Sequence, residues 1–240
     1  MTISIVQTKT GTATSASSLT LTLASGTTAG HSLIVVGGEF KSAGSGGPQP
    51  IIGVTLGGTG LNLADQWEDS NSAVCSECWV LDNIAGSQTS VAISYLGSNT
   101  DIAAAAIEVA GLNAAGSLDN TWHAQDNDFT TSSSWSSGST GTLNQASEIA
   151  FGVSVLQGTS CSITGPSSPW SNTTLSISTT FKVIFGNNIV SANTALSYAG
   201  TSSASGTGNG SSLIATFKAA QPLGAAHLVV GQAVNRAAYY

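Results

Sequence analysis

The chain has 240 residues, enough for one large all-β domain or two small ones around a real core. Only 7% of its residues are charged, against about 25% in an average globular chain, while 41% are hydrophobic, which excludes the charge-rich and core-poor composition of a disordered protein. A formal charge of −7 with Lys9, Lys41, Lys182, Lys218 and Arg236 as the cations leaves no basic stripe for phosphates and repels an acidic lipid surface, excluding nucleic-acid and electrostatic membrane binding.

The chain opens with TISIVQ (2–7) and SLTLTL (18–23), which alternate apolar and polar residues and read as an opening pair of strands. The N-terminal stretch MTISIVQTKTG has neither the cationic region nor the apolar core of a signal peptide, and no run approaches the length of a membrane span. HSLIVVGGEF (31–40) is apolar without alternation, the pattern of a strand buried on both faces. SAGSGGPQP (42–50) reads as a loop, 51–56 as a short strand, and 61–71 as a polar loop carrying Trp67. AVCSECWVL (73–81) resumes a strand, and 91–95 and 102–109 follow. The last of these, IAAAAIEV, has the alanine content of a helix, but its later counterpart SLIATFK and its closure by Ala110-Gly111 favour a strand.

Residues 116–145 are rich in Ser, Thr, Asn and Asp and read as a long connection with one or two edge strands. The order of features then returns: EIAFGVSVL (148–156) stands where LIVVGGEF stood, 161–164 where IIGVT stood, Trp170 where Trp67 stood, and 179–185 where the cysteine strand stood. The runs around Tyr198 and Ile214 close the copy as those around Tyr95 and Ile107 closed the original, with Lys218 in the place of Glu108. We therefore expect an all-β fold, a jelly-roll-like β-sandwich over 1–220 built from two related half-chains, about 29–115 and about 146–220. The remaining 221–240 is expected as a C-terminal extension, an edge strand or an arm between subunits. Its expected assembly contacts are Leu223, His227, Leu228, Val229, Val230, Val234, Tyr239 and Tyr240.

Candidate chemistry is sparse. Cys75 and Cys78 form a C-x-x-C, but in a strand such residues face opposite sides roughly 10 Å apart, too far for a mutual disulfide. With Cys161 the count is odd, which argues for a reducing compartment and small buried side chains. His31, His123 and His227 lie far apart in sequence, without metal-ligand spacing, and no Gly-x-Ser-x-Gly elbow is present. No metal, cofactor or catalytic residue is expected. Carboxylates beside aromatic platforms form the one candidate ligand site, for sugar or Ca²⁺: Asp65, Trp67, Glu68 and Asp69, then Trp122, Asp126, Asp128 and Trp135. The alternative is that Trp67 and Trp170, in matched places, are packing residues with solvated acids beside them.

Four runs carry a resemblance: HSLIVVGGEF, WVLDNIAGSQTSVAISY, AAAIEVAGL before Ser-Leu-Asp, and the closing ATFKAA. Over roughly 29–220 their order resembles a family of Gly/Ser/Thr-rich β-sandwich domains of bacterial surface proteins and phage virion proteins. The cysteine pair and the apolar extension depart from that family. The resemblance implies a non-enzymatic structural protein, such as a phage capsid decoration, tail or fibre-associated component. Its location would be a virion or extracellular surface, and its partners further copies or other subunits of the particle. A carbohydrate-binding or adhesion module using exposed tryptophans is the alternative, and a sandwich-fold glycoside hydrolase a third.

Overall fold

The computed structural model describes residues 2–41, 47–69, 73–126, 133–204 and 208–221. The described residues form fifteen strands and no helix, so no helix among them is long and apolar enough to cross a membrane. In the first half these are β1 (Ser4–Thr22), β2 (Ser32–Phe40), β3 (Ile51–Leu56), β4 (Thr59–Gly60), β5 (Asn62–Glu68), β6 (Val74–Leu81) and β7 (Ser90–Ala110). In the second they are β8 (Leu118–Asp126), β9 (Ser133–Ser136), β10 (Glu148–Gln157), β11 (Ser162–Thr164), β12 (Ser171–Ser176), β13 (Phe181–Val190), β14 (Ala199–Ser203) and β15 (Asn209–Lys218).

All pairings are antiparallel, and the halves use one strand order. A wide sheet runs β5-β6-β2-β7-β1 in the first half and β12-β13-β10-β15-β8 in the second. A narrow sheet, β3 with the start of β7 and the end of β1, has its counterpart in β11-β14-β9. Numbered along each half, the wide sheet reads 1-8-3-6-5 and the narrow one 2-7-4, a jelly-roll order in which the fifth strand joins the wide sheet. The fold is thus an all-β sandwich of two rolls.

Three elements differ from the sequence reading. The expected opening pair is one strand, β1, with bulges between Ile5 and Gln7 and between Ala16 and Ser18. It runs continuously because β7 is equally continuous, joining the expected 91–95 and 102–109 through 96–101 and serving both sheets as it curls. The expected polar loop 61–71 contains strand β5, whose main chain pairs with β6 from Asn62↔Val80 to Glu68↔Cys75. Its polar side chains misled because an edge strand buries only part of one face.

The alanine-rich end of β7 is a strand for a packing reason. Ala103 and Ala105 face the second roll, Ala104 and Ala106 the interior of the first, and all are essentially inaccessible. Small side chains let bulky neighbours close in from both sides. The central core lies between the wide sheets, where Ile34, Val36, Phe40 and Ile107 meet Phe151, Val153, Phe181 and Phe217. Each such side chain contributes about 1.5–3 kcal/mol by burial. Gly38 marks the closest approach, since a Cβ there would stand 2.5 Å from Val155 Cγ2. Each roll also has its own core, around Leu33, Ile93 and Trp79 in the first and around Trp135, Tyr198 and Ile184 in the second.

Candidate functional site

The residues expected to bind a ligand separate into a seam, a surface platform and core. On β5, Asp65 Oδ2 lies 2.9 Å from His123 Nδ1 on β8, and the Trp67 ring stacks on the same imidazole at 3.8 Å between centroids. Beside them Ser76 and Ser211 share a hydrogen bond of 2.6 Å, and the Ser211 hydroxyl donates to the Trp67 carbonyl at 2.6 Å. Asp65 and Trp67 therefore join the first roll to the second. Of the eight candidates, Glu68 is exposed beside this seam and Trp122, on edge strand β8, is 53% exposed.

Two candidates are corrected. Asp69 is buried and accepts the backbone N–H groups of Ala73 and Val74, each at 2.7 Å, so it fastens a turn instead of facing a ligand. Trp135 is 1% exposed, donates Nε1–H to the Thr201 carbonyl at 3.2 Å and packs against Tyr198, so it offers no platform. Trp170 packs on the other side of the same core at Tyr198. Asp126 ends β8, while Asp128 and the assembly contacts Leu223, His227, Leu228, Val229, Val230, Val234, Tyr239 and Tyr240 lie outside the described residues.

Grooves on the described surface hold little convergent chemistry. One of about 460 Å³ is lined by Thr2, His31, Gly111, Leu112 and Ala220 among others, and another of about 330 Å³ by Pro169, Ile189 and Leu196 with their neighbours. A third, of about 230 Å³, lies between Leu56, Asn83 and Gln88. None of the three is lined by a carboxylate.

The densest polar cluster is sealed inside the first roll. Glu39 on β2 is paired with Cys75 on β6, and Glu77 lies two residues further along β6, so the pleat turns all three inward. Their ligand-type atoms lie within 4.8 Å of one another, and all three residues are 0% exposed. Glu77 is held by the Ile51 N–H at 2.7 Å and by Trp79 Nε1–H at 2.8 Å. Gln66 Nε2 approaches Cys75 Sγ at 3.7 Å. By contrast, Glu39 has Cys75 and Glu77 as its polar neighbours but makes no well-formed hydrogen bond through either oxygen, and the buried Tyr95 hydroxyl makes none among the described residues. Burial, then the neighbouring Glu77 charge, holds the Glu39 carboxyl well above its ordinary range. Burial, then the Glu39 charge, pushes the Cys75 thiol up, and burial also raises Glu77 against the pull of its donors.

Other buried acids show what a satisfied site looks like here. Glu108 receives Gln7 Nε2 at 2.7 Å and the Thr28 N–H at 2.8 Å and lies 2.7 Å from His31 Nδ1. Asp119 takes Asn144 through side chain and backbone, with Lys218 Nζ at 3.5 Å. Sequence reasoning passed over Glu39 and Glu77, although each is a lone acid inside an apolar run, GGEF and SECWV. That signal was available.

Compared with known proteins, the chain matches no protein-family model and no curated protein sequence.

Proposed function

We propose that the protein is a non-enzymatic structural component of a virus particle or extracellular assembly, acting through contacts between subunits. The observation that carries the reading is β1. Its 19 residues pair with β7 along one side only, leaving the other edge without a strand among the described residues. Lys9 is its one charged residue, and most of its exposed side chains are Ser and Thr. Apart from Lys9 and the two bulges, this long edge lacks the charges, prolines and short length that ordinarily block strand addition. Main-chain bonding along such an edge gives affinity, and small side chains permit close approach. Two rolls joined by their wide sheets suit a building block, and the resemblance to surface and virion domains points the same way.

The apolar stretch 223–240 is the proposed partner of that edge on a neighbouring copy. The described chain leaves the body beside the start of β1, where the Ala220 N–H donates to the Gly111 carbonyl at 2.8 Å near Thr2. Light scattering over a concentration series tests the reading. The full chain is expected to form a defined oligomer. Both deletion of 223–240 and the pair Thr12→Lys with Ser17→Lys should give a folded monomer. An oligomer unchanged by both alterations, or a full chain that stays monomeric, refutes it.

A second reading, a glycan-binding module, is favoured by Trp122, whose exposed ring is available for stacking on a sugar. Its test is glycan-array binding that Trp122→Ala abolishes.

A further inference from the structure

The acid and thiol cluster of the first roll has no counterpart in the second. Glu108 faces Leu33 across β7 and β2, and Lys218 faces Glu148 across β15 and β10. Counting from these matched pairs, Gly37 corresponds to Gly152 and Glu39 to Ser154. Across the wide sheets, Glu77 then corresponds to Gly186 and Cys75 to Ile184. In the second roll the space is closed by the Tyr198 ring over Gly152 and Gly186, and by a Ser212-to-Ser154 hydrogen bond of 2.8 Å. The same strand order therefore closes these matched positions without a carboxylate.

The fold does not need the acids, yet burying them is expensive. An ionised carboxylate removed from water without donors costs several kcal/mol. The Asp119–Glu148 pair of the second roll has Lys218 and Asn144 beside it, whereas Glu39 has no such support among the described residues. A cation supplies what is missing.

We propose that Glu39, Cys75 and Glu77 bind a divalent transition-metal ion of the zinc type inside the first roll. Bonds of about 2.0–2.3 Å draw a tetrahedral ion's ligand atoms to within about 4 Å of one another, close to the spacing already present. The thiolate selects against Mg²⁺ and Ca²⁺, which take oxygen ligands. The Ile51 and Trp79 N–H groups orient Glu77 as an outer shell orients a ligand. Tyr95, paired across β7 and β3 with the Ile51 that donates to Glu77, has a buried hydroxyl without a hydrogen-bonding partner among the described residues and is the candidate for a fourth position. With no ligand exposed, the ion enters during folding and clamps β2 to β6.

The experiment refolds the full chain from denaturant with Co²⁺, with Zn²⁺ or with a chelator. Cobalt should be retained stoichiometrically and give the near-ultraviolet sulfur-to-cobalt charge-transfer band. Cys75→Ser should lose that band and Cys78→Ala should keep it. Zinc should raise the wild-type melting temperature by about 5 °C or more over the chelated protein, consistent with an ion bound only by the folded state. Glu39→Gln, isosteric and uncharged, should fold but lose this gain. No retained ion, or a band that survives Cys75→Ser, overturns the proposal. So does a Glu39→Gln variant stabilised in chelator while the wild type gains nothing from zinc, because the two acids would then share a proton.

Discussion

Replacing Glu148 with Gln should change how stability depends on pH. Glu148 is buried on β10, accepts the Gln145 N–H at 3.3 Å through Oε1, and leaves Oε2 without a donor or acceptor bond as a carboxylate. Burial first, and then Asp119 beside it, raise its pKa from 4.5 to about 7. A protonated Glu148 donates to Asp119, whereas an ionised one faces a second negative charge. The native state thus holds a proton that the unfolded chain releases. Its contribution to stability is fully present below pH 4.5 and is lost as pH rises through about 7. The full shift corresponds to about 3 kcal/mol at 1.36 kcal/mol per unit, and relaxation around the pair reduces this to about 2–3 kcal/mol. Asp119 works in the other direction: burial raises its carboxyl, but the Asn144 donors, Glu148 and Lys218 together hold it below the ordinary 3.8, so its contribution fades only in stronger acid. Urea unfolding at pH 5 and pH 8 measures the effect. The stability lost by the wild type between these values should exceed that lost by Glu148→Gln by about 2–3 kcal/mol, and the difference isolates this group from every other titrating one. Equal losses in the two proteins would refute the reasoning.

Two further substitutions test the packing. Gly152→Ala places a Cβ 2.1 Å from Tyr198 Cγ and should cost about 1–3 kcal/mol or more in chemical denaturation, with Tyr198→Ala in the same chain relieving that clash. Trp135→Ala should cost about 3–5 kcal/mol as a core truncation, while Trp122→Ala should stay within about 0.5 kcal/mol, so thermal melts of the pair separate the buried tryptophan from the exposed one.

The strands were legible where periodicity or apolar runs expressed burial, as in HSLIVVGGEF and EIAFGVSVL, and the alanine run was read as strand from its matched segment. Continuity was not legible. Nothing local in SNTD (98–101) says that two apolar runs belong to one curling strand, because that depends on β1 lying alongside. The edge strand β5 was hidden for a similar reason, since its partner β6 supplies the order its own residues do not advertise. At the candidate sites, the link of Asp65 and Trp67 to His123 requires the second roll to dock, and no spacing within the chain encodes it. The Glu39, Cys75 and Glu77 cluster depends on the register of β2 against β6. The face-alternation rule separated Cys75 from Cys78, but it says nothing of which neighbour shares a face.

The rolls also differ in how their sheets are tied together. In the first, β1 and β7 each belong to both the wide and the narrow sheet, so a fluctuation that loosens one strains the other through an unbroken backbone. In the second, the described residues fill those roles with separate strands, β8 and β9 on one side and β14 and β15 on the other. The β11-β14-β9 sheet can therefore lift from its neighbour at a lower free energy than global unfolding, as a separate cooperative unit. Under mechanical load the second half is therefore expected to yield first, uncovering Trp135 and Tyr198 while the central core between the rolls stays closed.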